Sequence, residues 1–316
     1  MNPHMNPTIQ THGLEKKFGR TEVLRAIDLA VPEGAIYALV GPNGAGKTTM
    51  IKLLMNILRP TSGTAAVLGV DSAKLEGEAF SRIGYVSENQ DLPDGMTVGS
   101  MLDYLRPFYP RWDRALEQQL VRQFELPLNR KLKHLSRGMR MKAAFASSLA
   151  YRPPLMVLDE PFTGLDPLVR DELIESLLER APETTIFLSS HDLAEIESFA
   201  SHVGYLEDGR LLFSEEITVL SDRFREVMIT LPEPSRLPSN LPPAWLLPEA
   251  SDCVVRFVHS EYKGEASERE MAGVFASARD VACEAMPLRS IFLAIAKSGR
   301  TQNHAARDTT AGRAQG

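Results

Sequence analysis

The sequence predicts an α/β fold, and three observations carry the prediction. Apolar runs of strand length recur at Ala35 to Val40, Leu155 to Leu158 and Thr184 to Ser189, with helical stretches between them. Each run ends in a polar cluster, as in parallel strands buried on both faces that deliver their functional groups to one edge. The first run passes through a glycine-rich turn, Gly41 to Gly46, directly into an amphipathic helix. That helix opens at Lys47 and is expected to close at Leu58, because Pro60 and Gly63 cannot continue it.

Taken in order, residues 8 to 33 read as an antiparallel β part: two strands, Thr8 to Thr11 and Leu24 to Val31, turning at Gly19-Arg20. Phe18, just before the turn, reads equally as a nucleobase platform, since any base offers a π-face, or as a half-buried strand end. Gly41-Pro42-Asn43-Gly44-Ala45-Gly46-Lys47-Thr48-Thr49 then satisfies G-x-x-x-x-G-K-[ST], the P-loop, in a strand–turn–helix setting. Glycines let successive N–H groups point at an anion without Cβ clashes. The helix N-terminus adds partial positive charge, and Lys47 adds a full one for the β- and γ-phosphates. Thr48 offers a hydroxyl oxygen to Mg²⁺, a hard cation. Short strands follow at Thr64 to Val67 and Ile83 to Val86. The second runs into Ser87-Glu88-Asn89-Gln90, which is either a loop at the ligand edge or a solvated one.

From Thr97 to Tyr151 the texture is helical. Leu102, Leu105, Ala115, Leu116, Leu120 and Phe124 recur at helical spacing, broken by Pro107, Pro110 and Pro127, which marks a helical subdomain over 97–153. Leu135-Ser136-Arg137-Gly138-Met139-Arg140 opens an alanine-rich helix ending at Arg152-Pro153. Ser136 is its N-cap, and taken alone the stretch asks for nothing beyond capping. The run Leu155 to Leu158 ends in Asp159-Glu160. Adjacent carboxylates on a strand point in different directions, so one can reach a Mg²⁺ shell while the other faces an attacking water. After the turn Pro161 to Pro167 comes a helix, Leu168 to Arg180. The run Thr184 to Ser189 then delivers Ser190-His191-Asp192 to the same edge, where His191 could bond a γ-phosphate or a catalytic carboxylate. The other six histidines default to surface or core roles. Asp208-Gly209 turns a β-hairpin between Val203 to Leu206 and Arg210 to Phe213.

Near residue 222 the composition shifts. The first domain is read over 1–221, a small α+β domain over 222–300, and a disordered tail over 301–316, where the chain turns polar and rich in alanine and glycine. In the second domain, strands are expected at Glu226 to Leu231, Cys253 to Val258 and Val281 to Glu284. Helices are expected at Ser267 to Ala278 and Leu288 to Lys297, and the proline-dense stretch 231–248 is read as a loop. A 43% hydrophobic and 24% charged composition describes an ordinary globular protein, and the net charge of −6 argues against nucleic acid as the main partner. Cys253 and Cys283 give no disulfide framework or metal spacing and read as buried free thiols. No apolar run reaches the ~18 residues that span a bilayer, so any membrane role is expected to come through a partner.

Together these stretches resemble the ATP-binding subunit of ABC transporters, over about residues 8 to 220. GPNGAGKTT (41–49) matches Walker A, and LMVLDEP (155–161) matches Walker B with its catalytic glutamate, Glu160. LSRGM (135–139) matches the LSGGQ signature, and GLD (164–166) looks like the D-loop. His191 looks like the switch histidine, Phe18 falls at the base-stacking aromatic, and Glu88 falls at the Q-loop position. The resemblance implies a P-loop NTPase core carrying the antiparallel β and helical subdomains, with ATP and Mg²⁺ as its ligands. It implies catalytic roles for Glu160, His191 and Lys47. Nucleotide contacts fall to Phe18, residues Gly41 to Thr49, Ser136, Gly138 and Asp166, and metal contacts to Thr48, Asp159 and Glu88.

The resemblance further implies head-to-tail pairing with a second ATP-binding subunit, identical or not. Walker A of one copy and Ser136 of the other would clamp one ATP, and hydrolysis would drive a separate transmembrane permease. The chain would then sit in the cytoplasm, peripheral on the inner face of the membrane. Phe108-Tyr109-Pro110-Arg111-Trp112 reads as either the permease contact or subdomain core. Three residues depart from the family pattern: Arg137 and Met139 stand in place of glycine and glutamine, and Glu88 in place of glutamine, with Gln90 able to substitute two residues on. These variants, with the C-terminal extension, look like single-domain ATPases of bacterial export systems, including those associated with antibiotic resistance. The competing reading is a soluble, non-transport ABC ATPase serving as an assembly or regulatory factor.

Overall fold

A computed structural model of the chain describes residues 7–234, 236–238 and 240–298. The expected disordered tail, 301–316, lies outside the described residues. The chain divides into two compact units, Met1–Ser214 and Glu215–Gly316.

A six-stranded sheet organises the first unit, in the order Arg210–Glu216, His202–Glu207, Ile36–Val40, Thr185–Ser190, Leu155–Asp159, Ile83–Ser87. Its central strands are parallel, and Ile36–Val40, Leu155–Asp159 and Thr185–Ser190 are buried along their whole length. This is why they read as unbroken apolar runs. Register sets the site. Val40 lies beside Ser190, and Asp159 lies between Ser189 and Ser87, so the residues that follow all emerge at one edge.

Against this core lies an antiparallel sheet ordered Thr21–Val31, Ile9–Phe18, Ser62–Val67, Val70–Asp71. Its first two strands run longer than the sequence suggests. Their register shifts near Gly13 and Ala26, both at positive φ, and these irregularities hide the alternation that marks a strand. The P-loop helix is correspondingly shorter than expected, Lys47–Leu54, because Met55 already leaves helical geometry and Asn56 has φ 55°.

The helical subdomain holds Val98–Leu105, Arg114–Gln123 and Arg137–Leu149, capped by Thr97, Asp113 and Ser136 respectively. Its aromatic cluster divides. Tyr109 stacks on Tyr151 at 3.9 Å between ring centroids, and Trp112 donates to Glu117 Oε2 at 2.6 Å, so both serve the subdomain itself. Phe108, 60% exposed, leaves it to pair with Tyr104, 56% exposed.

The second unit has its own core, in which Trp245 stacks on Phe257 at 4.3 Å beside Val227, Ile229, Met271 and Phe275. Its antiparallel sheet runs Trp245–Ser251, Val254–His259, Arg225–Thr230, Asp280–Ala285, with a helix at Glu265–Val274 and helical residues at 288–298. The strand Trp245–Ser251 corrects the loop reading of 231–248. It lies at the sheet edge, and Pro248 follows Leu247 (φ 50°) inside a register shift, where no ladder N–H is required. Cys253 and Cys283 are free and half-buried rather than buried. Among the described residues no helix is long and apolar enough to cross a membrane.

Candidate active site

The site forms where the parallel strands end. Gly41 leaves Ile36–Val40 so close to the neighbouring strand that an added Cβ would lie 2.0 Å from Leu206 O. Gly46, at φ 110°, would meet Leu24 Cδ2 at 2.7 Å, whereas Gly44, at φ 84°, faces open space. The loop therefore needs glycine for its backbone path and leaves room above for a ligand. Lys47, 5% exposed, folds back over the loop: Nζ donates to Gly41 O at 2.7 Å and to Pro42 O at 3.2 Å. It also pairs with Glu160 Oε1 at 3.1 Å.

The two carboxylates diverge as strand alternation requires. Asp159 Oδ1 accepts from Ser189 Oγ at 2.7 Å and from Thr48 Oγ1 at 3.0 Å. Burial pushes its pKa up, the Ser189 and Thr48 hydrogen bonds oppose that, and the Glu160 charge adds to it. Glu160 turns the other way, with φ 50°, a left-handed conformation uncommon for a non-glycine residue. Its own N–H donates to Ser189 Oγ at 3.0 Å and fixes the turn. Glu160 Oε2 accepts from Thr163 Oγ1 at 3.1 Å and lies 2.7 Å from His191 Nδ1. Burial opposes ionisation of Glu160, but the His191 hydrogen bond and the nearby Lys47 outweigh it and hold its pKa below the usual carboxylate range. With an ionised acceptor, the His191 proton sits on Nδ1.

A cleft of ≈ 480 Å³ gathers Asn43, Gly44, Gly46, Lys47, Thr48, Thr49, Glu88, Glu160 and His191, together with Val23 and Thr163. Asp159, Thr48 and Glu88 border an adjoining recess of ≈ 220 Å³. Gly41 and Ala45 are buried beneath the loop, and Pro42 is exposed on it. Phe18 does not border the cleft. Its ring is 47% exposed, with Lys16 Nζ 5.0 Å from its centroid. Ser136 and Asp166 also stand outside, where they cap helices by accepting from Met139 N and Val169 N. Gly138 faces Val169. Gln90 Oε1 accepts from Ser87 N at 3.3 Å, and Gln90 borders a neighbouring groove together with Glu88 and Arg137.

Sequence reasoning missed Ser189 and Thr163, the two hydroxyls that hold the carboxylates. Ser189 carried a signal, being a polar residue at the end of an otherwise apolar strand beside Asp159. Thr163 carried none.

The residues suit Mg²⁺ with a polyphosphate. Among the described residues no cluster of three His, Cys, Asp or Glu could enclose a metal. Thr48 and Asp159 offer two oxygen donors beside the loop, and Mg²⁺ typically takes one or two protein oxygens and completes its shell with phosphate and water.

The profile of a family described as ABC transporter matches residues 24–163. The ABC transporter ATP-binding protein YtrB of Bacillus subtilis is 30% identical over 223 residues, 70% of this chain and 76% of that protein. The bacitracin transport ATP-binding protein BcrA of Enterococcus faecalis is 32% identical over 226 residues, 70% of this chain and 73% of that one. Among solved structures, an ATP-binding subunit of an ABC transporter superposes with a TM-score of 0.63 at 28% identity, over 68% of this chain and 92% of the other. The glycine cradle, the paired carboxylates and the histidine facing them thus sit in a chain that belongs to the family of ABC transporter ATP-binding proteins, an ATPase of that class.

Proposed function

We propose that this chain is the ATP-hydrolysing subunit of an exporter, binding Mg²⁺-ATP between two head-to-tail copies and driving a separate transmembrane permease. The observation that carries the reading is the convergence of Lys47, Glu160 and His191 on one cleft above the glycine loop.

In this reading the loop N–H groups and Lys47 hold the phosphates, and Phe18 stacks on the base. An incoming γ-phosphate draws Lys47 away from Glu160 Oε1, which frees that oxygen to take a proton from the attacking water. His191 and Thr163 keep Oε2 and hold the carboxylate in place meanwhile. Thr48 and Asp159, with Glu88 nearby, would hold Mg²⁺, whose charge would offset that of the phosphates. Ser136, Gly138 and Asp166 lie outside the cleft of their own chain, which fits an assignment to the ATP of a second copy. The exposed pair Tyr104 and Phe108 supports a permease contact on the helical subdomain, which would place the chain on the inner membrane face. The likeness to a bacitracin transport ATP-binding protein supports a transport role.

The test is Glu160→Gln, which keeps shape and hydrogen bonding but removes the base. Light scattering should show a dimer that forms only with ATP and persists, and adding Ser136→Arg should abolish it. A Glu160→Gln protein that stays monomeric at saturating ATP would contradict pairing between identical copies.

A further inference from the structure

The helix Arg137–Leu149 begins against its own electrostatics. Its first turn holds no acidic residue but carries Arg137 and Arg140, where the helix dipole favours anions. Acids from one loop match both cations. Arg140 Nη1 donates to Asp94 Oδ1 at 2.9 Å, and Arg137 Nη2 donates to Glu88 Oε1 at 2.7 Å. The same Nη2 donates to Thr163 O at 2.7 Å. The guanidinium packs against Gly164, where an added Cβ would come 3.0 Å from Nη1.

Arg137 therefore touches two walls of the cleft without bordering it. Glu88 borders the cleft beside Lys47 and Thr48, and it also borders the recess at Asp159. An unpaired carboxylate there repels a polyphosphate and adds to the cluster of negative charge that only a cation can offset. Thr163, fixed through its carbonyl, presents its hydroxyl to Glu160 Oε2.

Resting on the ATP-binding reading above, we propose that Arg137 is a positioning residue. From the signature segment it neutralises Glu88 of its own chain and pins Thr163, and so lowers the demand of the cleft for a divalent cation. Two of the three departures from the family pattern, Arg137 and Glu88, are then one device, a charge pair in place of a neutral pair.

The test measures ADP affinity of the full chain by equilibrium dialysis, once in EDTA and once with Mg²⁺. Arg137→Gln should weaken metal-free binding about fivefold at low salt, the scale of one partly exposed ion pair. The loss should shrink in high salt, and added Mg²⁺ should recover most of it. In EDTA, Arg137→Gln should cost less in the Glu88→Gln background than in the parent background, and Arg137→Lys should lie between the parent and Arg137→Gln. An Arg137→Gln loss of the same size in the Glu88→Gln background, or an equal loss with and without Mg²⁺, would overturn the proposal and leave Arg137 a purely structural role. A parent protein that binds no ADP in either buffer would overturn the underlying reading instead.

Discussion

Two helices of the first unit begin with similar sequence signals and finish their N-termini in opposite ways. Helix Lys47–Leu54 follows Gly46, in left-handed conformation, and no side chain caps it. Helix Arg137–Leu149 follows Ser136, whose hydroxyl accepts from Met139 N, and acids of a neighbouring loop match its arginines. Helix ends leave several N–H groups without an internal partner. No side chain answers the N–H groups of the first end, whereas a hydroxyl already accepts from one N–H of the second. A glycine cap with a following lysine therefore reads as a ligand site from sequence alone, while a serine cap is ambiguous. Ser136 Oγ accepts from Met139 N, and its O–H remains able to donate to the nucleotide of a second copy.

The largest effect should come from emptying the open end. Lys47→Ala removes the cation whose Nζ donates to the loop carbonyls of Gly41 and Pro42, and ATPase activity should fall by at least ~100-fold, the scale of losing one preorganised charge contact. Glu160 loses its ion pair but keeps His191 and Thr163, so circular dichroism should remain that of the parent. Hydrolysis at the parent rate would show that the loop is not the phosphate site.

A second substitution sharpens the contrast by moving a proton equilibrium at the open end. The Glu160 pKa is depressed, so the base stays ionised until pH falls through that depressed value, and activity should be lost only there. His191→Ala removes the hydrogen bond that contributes most to the depression, while burial continues to oppose ionisation. The acid limb of kcat/KM should move to higher pH. A limb that stays in place would remove His191 from control of the base.

How much of this was legible follows from how local each signal is. Strands buried on both faces announce themselves as apolar runs, and the loop announces itself by glycines whose Cβ would strike Leu206 or Leu24. The strand Trp245–Ser251 was hidden because Pro248 is a strand breaker everywhere except at an edge bulge, and edge position is decided by pairing with Val254–His259. Longer first strands were hidden by charged residues and register shifts. The pairing of Arg137 with Glu88 joins residues 49 positions apart. Nothing in either neighbourhood points to the other; the sequence shows two unusual residues, and only the fold shows that they meet.

The smallest effect tests the closed end, and it separates two roles of one hydroxyl. Ser136→Ala removes the cap from Met139 N and should cost about 1 kcal/mol of stability, while Ser136→Gly should cost only a few tenths, because glycine tolerates the cap conformation and lets water reach the N–H groups. Urea denaturation would resolve that difference. Any contact from the Ser136 hydroxyl to a second copy's nucleotide is lost equally in both variants. Stability should therefore rank parent, glycine, alanine, while ATP-dependent dimerisation in the Glu160→Gln background should weaken to the same degree in glycine and alanine. Dimerisation that follows the stability ranking would mean that Ser136 acts only by capping its helix. Dimerisation lost equally in both would assign the hydroxyl to the interface, where its O–H can donate while its oxygen still accepts from Met139 N.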